Sequence, residues 1–308
     1  MAVVKRVVVT GASGFIGRHA LTPLIAAGFE VHAISSRANM SAMNQDGVHW
    51  HQLDLLKSAD LDFLLASIRP THLLHLAWYA EPGRFWTASA NLDWVSATLS
   101  LLQAFARHGG QRVVMAGTCA EYDWSDGRCY ESTTALQPAT LYGVCKNATR
   151  QIIERFCEQH QISSAWGRIF FLYGEHEHPA RLVSSVISSL LKGEEALCSA
   201  GTQRRDFLHV SDVASAFVTL LDSDVQGAVN IASGEGLAIK DVVIRIAQKL
   251  DQDNLVRLGA RPTPPGDPEL LVADIARLRD EVKWTPTLSL DAGLDQTIAW
   301  WRHELHGP

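Results

Sequence analysis

Three evenly spaced glycines, Gly11, Gly14 and Gly17, follow directly on an apolar run in the segment Val7-Val-Val-Thr-Gly-Ala-Ser-Gly-Phe-Ile-Gly-Arg18. Behind them, His19 to Ala27 carries apolar residues at helical spacing and ends at Gly28, a residue type that closes helices. A buried strand, a tight turn and a helix are expected in that order. Glycines at such a turn let bare backbone approach a ligand, and the N–H groups around Ser13, Gly14, Phe15, Ile16 and Gly17 favour a negative group such as a pyrophosphate. Taken alone, the turn reads equally well as a plain connection between strand and helix.

Further apolar runs alternate with helical segments: Glu30–Ile34, Val48–Leu53, His72–Leu76, Arg112–Ala116 and Ser164–Leu172. Such alternation predicts an α/β chain, a Rossmann-type doubly wound parallel sheet with helices on both faces. Two long helices are expected over Ser89–Arg107 and Thr140–Gln159, and their outer faces offer a surface for a homodimer. After Gly174 the pattern loosens, with a proline-rich stretch at 261–268 and a last amphipathic helix near Asp291–His306. We therefore expect a dinucleotide-binding domain over 1–174 and a smaller α/β substrate domain over 175–308, with part of 201–225 packing back on the first.

Tyr142 precedes Lys146 by four positions in Leu141-Tyr-Gly-Val-Cys-Lys, so both lie on one helix face, where an ammonium favours phenolate and would lower the phenol's pKa. A tyrosine so tuned passes a proton near neutral pH. Thr118 lies just past a predicted strand end, where parallel sheets place ligands, and its hydroxyl can bond the same substrate oxygen. An isolated Tyr–Lys pair is otherwise an ordinary surface pair; its company with the glycine turn reverses that reading.

Composition narrows the function. The 308 residues are 47% hydrophobic with a net charge of -6, which offers no basic surface for nucleic acid. No apolar stretch approaches the roughly 20 residues of a membrane span, and the N-terminus shows no signal-peptide pattern, so a cytoplasmic protein is expected. Five cysteines without a close pair argue for reduced thiols and against a metal site.

In order along the chain, Gly11-Ala-Ser-Gly-Phe-Ile-Gly17, Asp54-Leu55, His75-Leu-Ala77, Thr118 to Tyr122, Tyr142-Gly-Val-Cys-Lys146, Arg168 to Gly174, Arg205-Asp-Phe-Leu-His-Val-Ser-Asp212 and Trp284-Thr-Pro286 resemble the extended short-chain dehydrogenase/reductases, the NAD-dependent epimerase/dehydratase family. That resemblance covers nearly the whole chain and implies an oxidoreductase acting on nucleotide-activated sugars. It implies catalysis by Thr118, Tyr142 and Lys146, adenine contacts from Asp54 and Leu55, and a path to the nicotinamide lined by Leu76, Ala77, Trp78, Ala116 and Phe170. Lys146 would also hold the nicotinamide ribose. Without the resemblance, Asp54 reads as the cap of a helix over Leu55–Leu65.

Cofactor choice is read at the end of the second strand, where an acidic residue would bond the ribose hydroxyls of NAD. This chain has Ser35-Ser36-Arg37 there, with Arg18 after the third glycine. Hydroxyls and guanidinium groups suit a 2′-phosphate, so NADP(H) is favoured; if both arginines are merely solvated, NAD(H) returns.

By the resemblance, Cys119 and Ala120 stand where sugar dehydratases carry an acidic pair, which argues against dehydration. An exchangeable NADP suits a reductase of a nucleotide-linked 4-keto-6-deoxy sugar, with an NAD-dependent nucleotide-sugar epimerase as the alternative. By the resemblance, Phe171 stands where many sugar-nucleotide members carry an asparagine, and Pro264 stands near the position of their diphosphate-holding arginine, which puts the substrate's nucleotide in question. Arg181 and Arg205 are candidate phosphate ligands or else surface or ion-paired charges. Trp78, Tyr79 and Trp86 belong to an aromatic loop expected to overhang the nicotinamide and stack on the sugar, with Trp86 alternatively a core anchor. Glu121 is a candidate pocket group or a solvated one. His176 and His178 read as loop histidines rather than acids of a coupled epimerisation.

Overall fold

The computed structural model describes residues 4–37, 45–57, 59–263 and 266–307; Pro264 lies outside the described residues. The chain runs β1 (Arg6–Thr10), α1 (Phe15–Ala26), β2 (Glu30–Ser35), β3 (Val48–Gln52), α2 (Leu61–Ile68), β4 (His72–His75), α3 (Ala90–Arg107) and β5 (Arg112–Thr118). It continues through β6 (Arg128–Cys129), α4 (Leu141–His160), β7 (Ser163–Ile169), β8 (Phe171–Tyr173), α5 (Leu182–Leu191), β9 (Ala196–Leu197) and β10 (Arg204–His209). The last third holds α6 (Val210–Leu221), β11 (Gly227–Ile231), β12 (Gly236–Ala238), α7 (Ile239–Leu250), β13 (Val256–Arg257), β14 (Leu270–Ala273), α8 (Ala276–Asp280) and α9 (Leu290–His306).

Successive side chains of a strand point to opposite faces, so a strand covered by helices on both sides must be apolar throughout. In β1, Val7 and Val9 enter the core under α1 and α6, while Val8 enters the core under α2 and α3. Seven parallel strands follow in the order β11-β7-β5-β4-β1-β2-β3, with the edge strand β3 only partly covered. The order reverses direction between β1 and β4, where Thr10 pairs with His75, and such a switch point opens a crevice beyond the strand ends.

The expected single strand over Ser164–Leu172 is two. β7 stays in the large sheet beside β5 and β11, whereas β8 pairs with β10 in a second sheet ordered β12-β10-β14-β6. Phe170 makes the crossing, its N–H donating to the Ile231 carbonyl. The second sheet is backed by α5, α7 and α9 around a separate core containing Val186, Ile187, Val243, Ile246, Leu294 and Ile298.

Residue 174 is consequently no clean boundary. Beyond it, α6 packs on α1, β11 completes the large sheet and α8 packs on β11, because Val213, Phe217, Val229 and Leu278 belong to the first core. In return β6 pairs with β14 in the second sheet. The helix expected directly after Asp54 begins only at Leu61; Asp54 instead closes a turn, its carboxylate accepting from Leu56 N–H and its carbonyl from Lys57 N–H.

Candidate active site

Gly11 adopts φ +67, and a Cβ there would lie 2.8 Å from the Ala77 nitrogen. Gly17 has an ordinary φ, but a Cβ would collide with the Gly11 carbonyl. Both glycines therefore allow β1, α1 and the segment after β4 to close together. No side chain caps the start of α1, and no carboxylate lies in its first turn, so the helix end presents its positive pole to the crevice. These features fit the pyrophosphate of a dinucleotide.

At the end of β2 the buried Ser35 hydroxyl bonds Ser13 Oγ at 2.8 Å and accepts from Arg37 N–H at 3.1 Å. Ser36 and Arg37 are exposed. Arg18 donates to the Ser13 and Gly14 carbonyls, and its pKa is lowered first by burial and then by Arg37, so two guanidinium groups share this end. Leu76 and Ala77 leave β4 with their N–H groups on the Thr10 carbonyl and hydroxyl. His75 is neutral, pushed down to about 3 by burial, and spends both ring nitrogens on Thr10 and Thr98. Asp54 and Leu55 lie in the turn after β3, where Asp54 also pairs with Lys57 at 3.6 Å.

The catalytic candidates meet where β5 and α4 approach. Thr140 caps α4 by accepting from Gly143 N–H, which places Tyr142 and Lys146 on the first turns. Lys146 is buried; its Nζ donates to the Ala116 carbonyl at 2.9 Å and lies 3.8 Å from the Trp78 ring centroid. Burial lowers its pKa to about 7, against the raising influence of Glu121. Thr118 ends β5, and its hydroxyl accepts from Ala120 N–H. Tyr142 is raised above the usual phenol range, chiefly by burial, while its hydrogen bond with Thr118 pulls the other way. This corrects the expected lysine-lowered phenol: the ammonium is committed to Ala116 and Trp78, and desolvation dominates.

Aromatic rings wall the tyrosine. Phe85 and Trp86 meet Tyr142 edge-on at 4.9 and 5.9 Å, and Arg181 sits over Phe85 at 5.3 Å. Trp86 is therefore both an anchor for α4, its carbonyl accepting Tyr142 N–H, and a wall of the site. Phe85 was missed by sequence reasoning, although its place beside Trp86 was the available signal. Tyr79 turns aside to Glu81 at 3.0 Å. Phe170 is a core residue beside Tyr122.

Two expected pocket residues are corrected. Glu121 is fully buried, held by Thr118 N–H, Trp166 and Arg168, so it does not face a ligand. Arg205 is the ion-paired alternative: it is 2% exposed and spends its donors on Asp267 and on the Arg204 and Pro268 carbonyls. His176 packs on Trp300 at 4.6 Å, and His178 accepts from Ala180 N–H.

Next to the start of α4 lies a cavity of about 690 Å³ walled by Trp86, Trp124, Ala120 and Thr140 and edged by Asp123, Asp126 and Glu269; Thr118, Tyr142 and Lys146 do not line it. All five cysteines are unpaired and buried. No helix among the described residues is long and apolar enough to cross a membrane.

A family model described as "NAD dependent epimerase/dehydratase family" matches residues 7–232. The chain is similar to UDP-glucuronic acid decarboxylase 1 of Danio rerio, at 25% identity over 98% of this chain and 73% of the relative. Among solved structures it resembles UDP-N-acetylglucosamine 4-epimerase from Methanobrevibacter ruminantium M1 in complex with UDP-N-acetylmuramic acid, with TM-score 0.88, 25% identity and coverage of 98% and 99% of the two chains. The UDP-glucose 4-epimerase of Thermus thermophilus in complex with NAD gives TM-score 0.86 and 26% identity over 96% and 99%.

Proposed function

The chain belongs to the NAD-dependent epimerase/dehydratase family, and from that premise we propose that it is a nucleotide-sugar 4-epimerase, oxidising and re-reducing one carbinol carbon of a UDP-linked sugar. The observation that supports this reading is that Thr118 ends β5 while Tyr142 and Lys146 share the first turns of α4, which packs against β5 with Lys146 Nζ on the Ala116 carbonyl. The bound dinucleotide would supply a hydride acceptor and, when oxidised, one positive charge. Gly11, Gly14, Gly17 and the start of α1 would hold its pyrophosphate, and Ala77, Trp78 and Lys146 would border its nicotinamide end.

With the charge of the bound oxidised dinucleotide and the Lys146 ammonium favouring its phenolate against burial, Tyr142 would take the proton of the sugar hydroxyl as the carbonyl forms and return it on re-reduction. Thr118 steadies the same oxygen, and Lys146, locked to Ala116, contributes charge without moving. Phe85, Trp86 and Trp78 exclude water from the exchange. Cys119 and Ala120 offer no acid–base pair for dehydration. The relatives named for UDP-sugars support the carrier, and the UDP-glucose 4-epimerase bound to NAD supports the cofactor.

A second reading, an NADPH-dependent reductase of a 4-keto-6-deoxy sugar, is favoured by one observation: Arg18 and Arg37 converge beside Ser35, where a 2′-phosphate would be bound. Incubating the purified protein with NAD and UDP-glucose tests the first reading through appearance of the C4 epimer without net change in reduced cofactor. Stoichiometric consumption of NADPH with a UDP-linked 4-keto sugar, and no epimer, would replace it with the second.

The cavity between Trp86 and Trp124 fits a hydroxyl-rich ring: tryptophans stack on a sugar face, and carboxylates accept from hydroxyls but repel a uronate. Homodimerisation through α3 and α4 is supported by exposed Leu92, Val144 and Ile152 on those helices. Sedimentation velocity would measure it.

A further inference from the structure

At the end of β5 the sequence Gly117-Thr-Cys-Ala-Glu-Tyr122 faces Trp166-Gly-Arg168 of β7, with Gly117 in register with Arg168. Glu121 and Arg168 form an ion pair at 2.8 Å with side chains 0% and 1% exposed. Removing two charges from water is expensive, and a well-packed apolar pair is often as stable, so stability alone does not account for this one.

Its geometry does. Glu121 Oε1 accepts from Thr118 N–H at 2.9 Å and from Trp166 Nε1 at 2.8 Å, while Oε2 accepts from Arg168 Nε. The Thr118 hydroxyl, accepting from Ala120 N–H, completes a reciprocal cap around the turn Cys119–Glu121. With that lone pair engaged, the hydroxyl proton is free to point at the phenol oxygen of Tyr142. Arg168 Nη1 continues to Tyr122 Oη at 2.8 Å, and Tyr122 to Asn230 Oδ1 at 2.8 Å. Asn230 donates onward to the Cys129 and Asp274 carbonyls. One hydrogen-bonded chain thus runs from the catalytic turn through β7 and β11 to β6 of the second sheet. A Cβ on Gly117 would strike Trp166 Nε1 and come within 2.8 Å of Glu121 Oε1, so the glycine is part of the same arrangement.

We propose that Glu121, held by Arg168, is a positioning residue for the reaction: it sets the Thr118 backbone so that the hydroxyl meets Tyr142, and it provides the buried negative charge that balances Lys146. Lys146 Nζ lies 5.9 Å from the ring centroid of Trp166, whose Nε1 is held by Glu121, and the nearby carboxylate favours the Lys146 ammonium against burial. The inference rests on the reading of Thr118, Tyr142 and Lys146 as the catalytic centre.

Three variants test it. Glu121→Gln keeps the oxygen that accepts from Thr118 and Trp166, turns a donor towards Arg168 and removes the charge, Glu121→Asp keeps the charge and shortens the arm, and Glu121→Gln with Arg168→Gln leaves no stranded cation should the first fail to fold. In each, NAD affinity by fluorescence titration and KM for UDP-glucose should stay within about threefold of wild type, while kcat falls by roughly 10²-fold, the scale of an ångström's misplacement. The alkaline limb of kcat should move to lower pH in Glu121→Gln, move less in the double variant, which loses a cation as well, and stay in place in Glu121→Asp. A folded Gln variant with wild-type kcat and an unmoved limb overturns the proposal, as does a loss appearing only in NAD affinity or KM. Competitive acetylation of the Lys146 amine across pH, with no substrate present, reads the charge balance even if UDP-glucose is not turned over: its titration should drop in Glu121→Gln, and coincidence of that variant with wild type overturns the proposal independently of the epimerase reading.

Discussion

The two ends of the crevice are built by opposite means. At the dinucleotide end the decisive contacts are short in sequence: Gly14 N–H to the Gly11 carbonyl, Arg18 to Ser13, Ser13 to Ser35. At the sugar end they cross the chain, as in Glu121 to Arg168 and Tyr122 to Asn230, separated by 47 and 108 positions. Local backbone geometry makes a general cradle for a pyrophosphate, while distant side chains meeting in the interior shape one particular pocket. The first depends on backbone and can form from a short stretch of chain; the second needs the whole fold.

The largest effect is expected at Tyr142. Replacing Tyr142 with Phe should lower kcat by about 10²–10⁴-fold, the scale of general acid–base catalysis, and leave NAD affinity unchanged. Turnover near wild type would show that another group carries the proton. At the dinucleotide end, Gly17→Val sets a branched side chain against the Gly11 carbonyl. NAD binding should be lost and the thermal midpoint lowered, by about 1–3 kcal/mol of overpacking strain; calorimetry with and without NAD separates the two effects.

At the sugar end, UDP-glucuronate should bind at least tenfold more weakly than UDP-glucose, because Asp123, Asp126 and Glu269 edge the cavity. Glu269→Lys should narrow that gap, and equal binding of both sugars by the wild type would remove the cavity from substrate selection. The smallest expected effect is at the end of β2: Arg37→Ala should weaken NADP by about threefold to tenfold, as for one exposed charge-assisted contact, and barely alter NAD.

The expected strand–turn–helix and the long helices agree with the structure to within a residue or two: α3 runs Ala90–Arg107 and α4 Leu141–His160. Apolar periodicity and capping residues such as Thr140 act over one or two turns, so a linear reading captures them. The same reading misassigned Glu121 as a pocket group because nothing near it in sequence announces Trp166 or Arg168. It also ran one strand through Phe170, since both β7 and β8 are apolar and only their partners, β11 and β10, distinguish them.

The sequence by itself determined the layered parallel sheet, the glycine turn and the residue types able to move a proton, because these depend on periodicity and on the chemistry of single side chains. Only the tertiary structure decided the state of those side chains: that Tyr142 is raised by burial, that Lys146 is held near neutrality and that Arg205 is bound to Asp267. Desolvation and pairing depend on which distant groups share the interior, and that is a property of the folded chain.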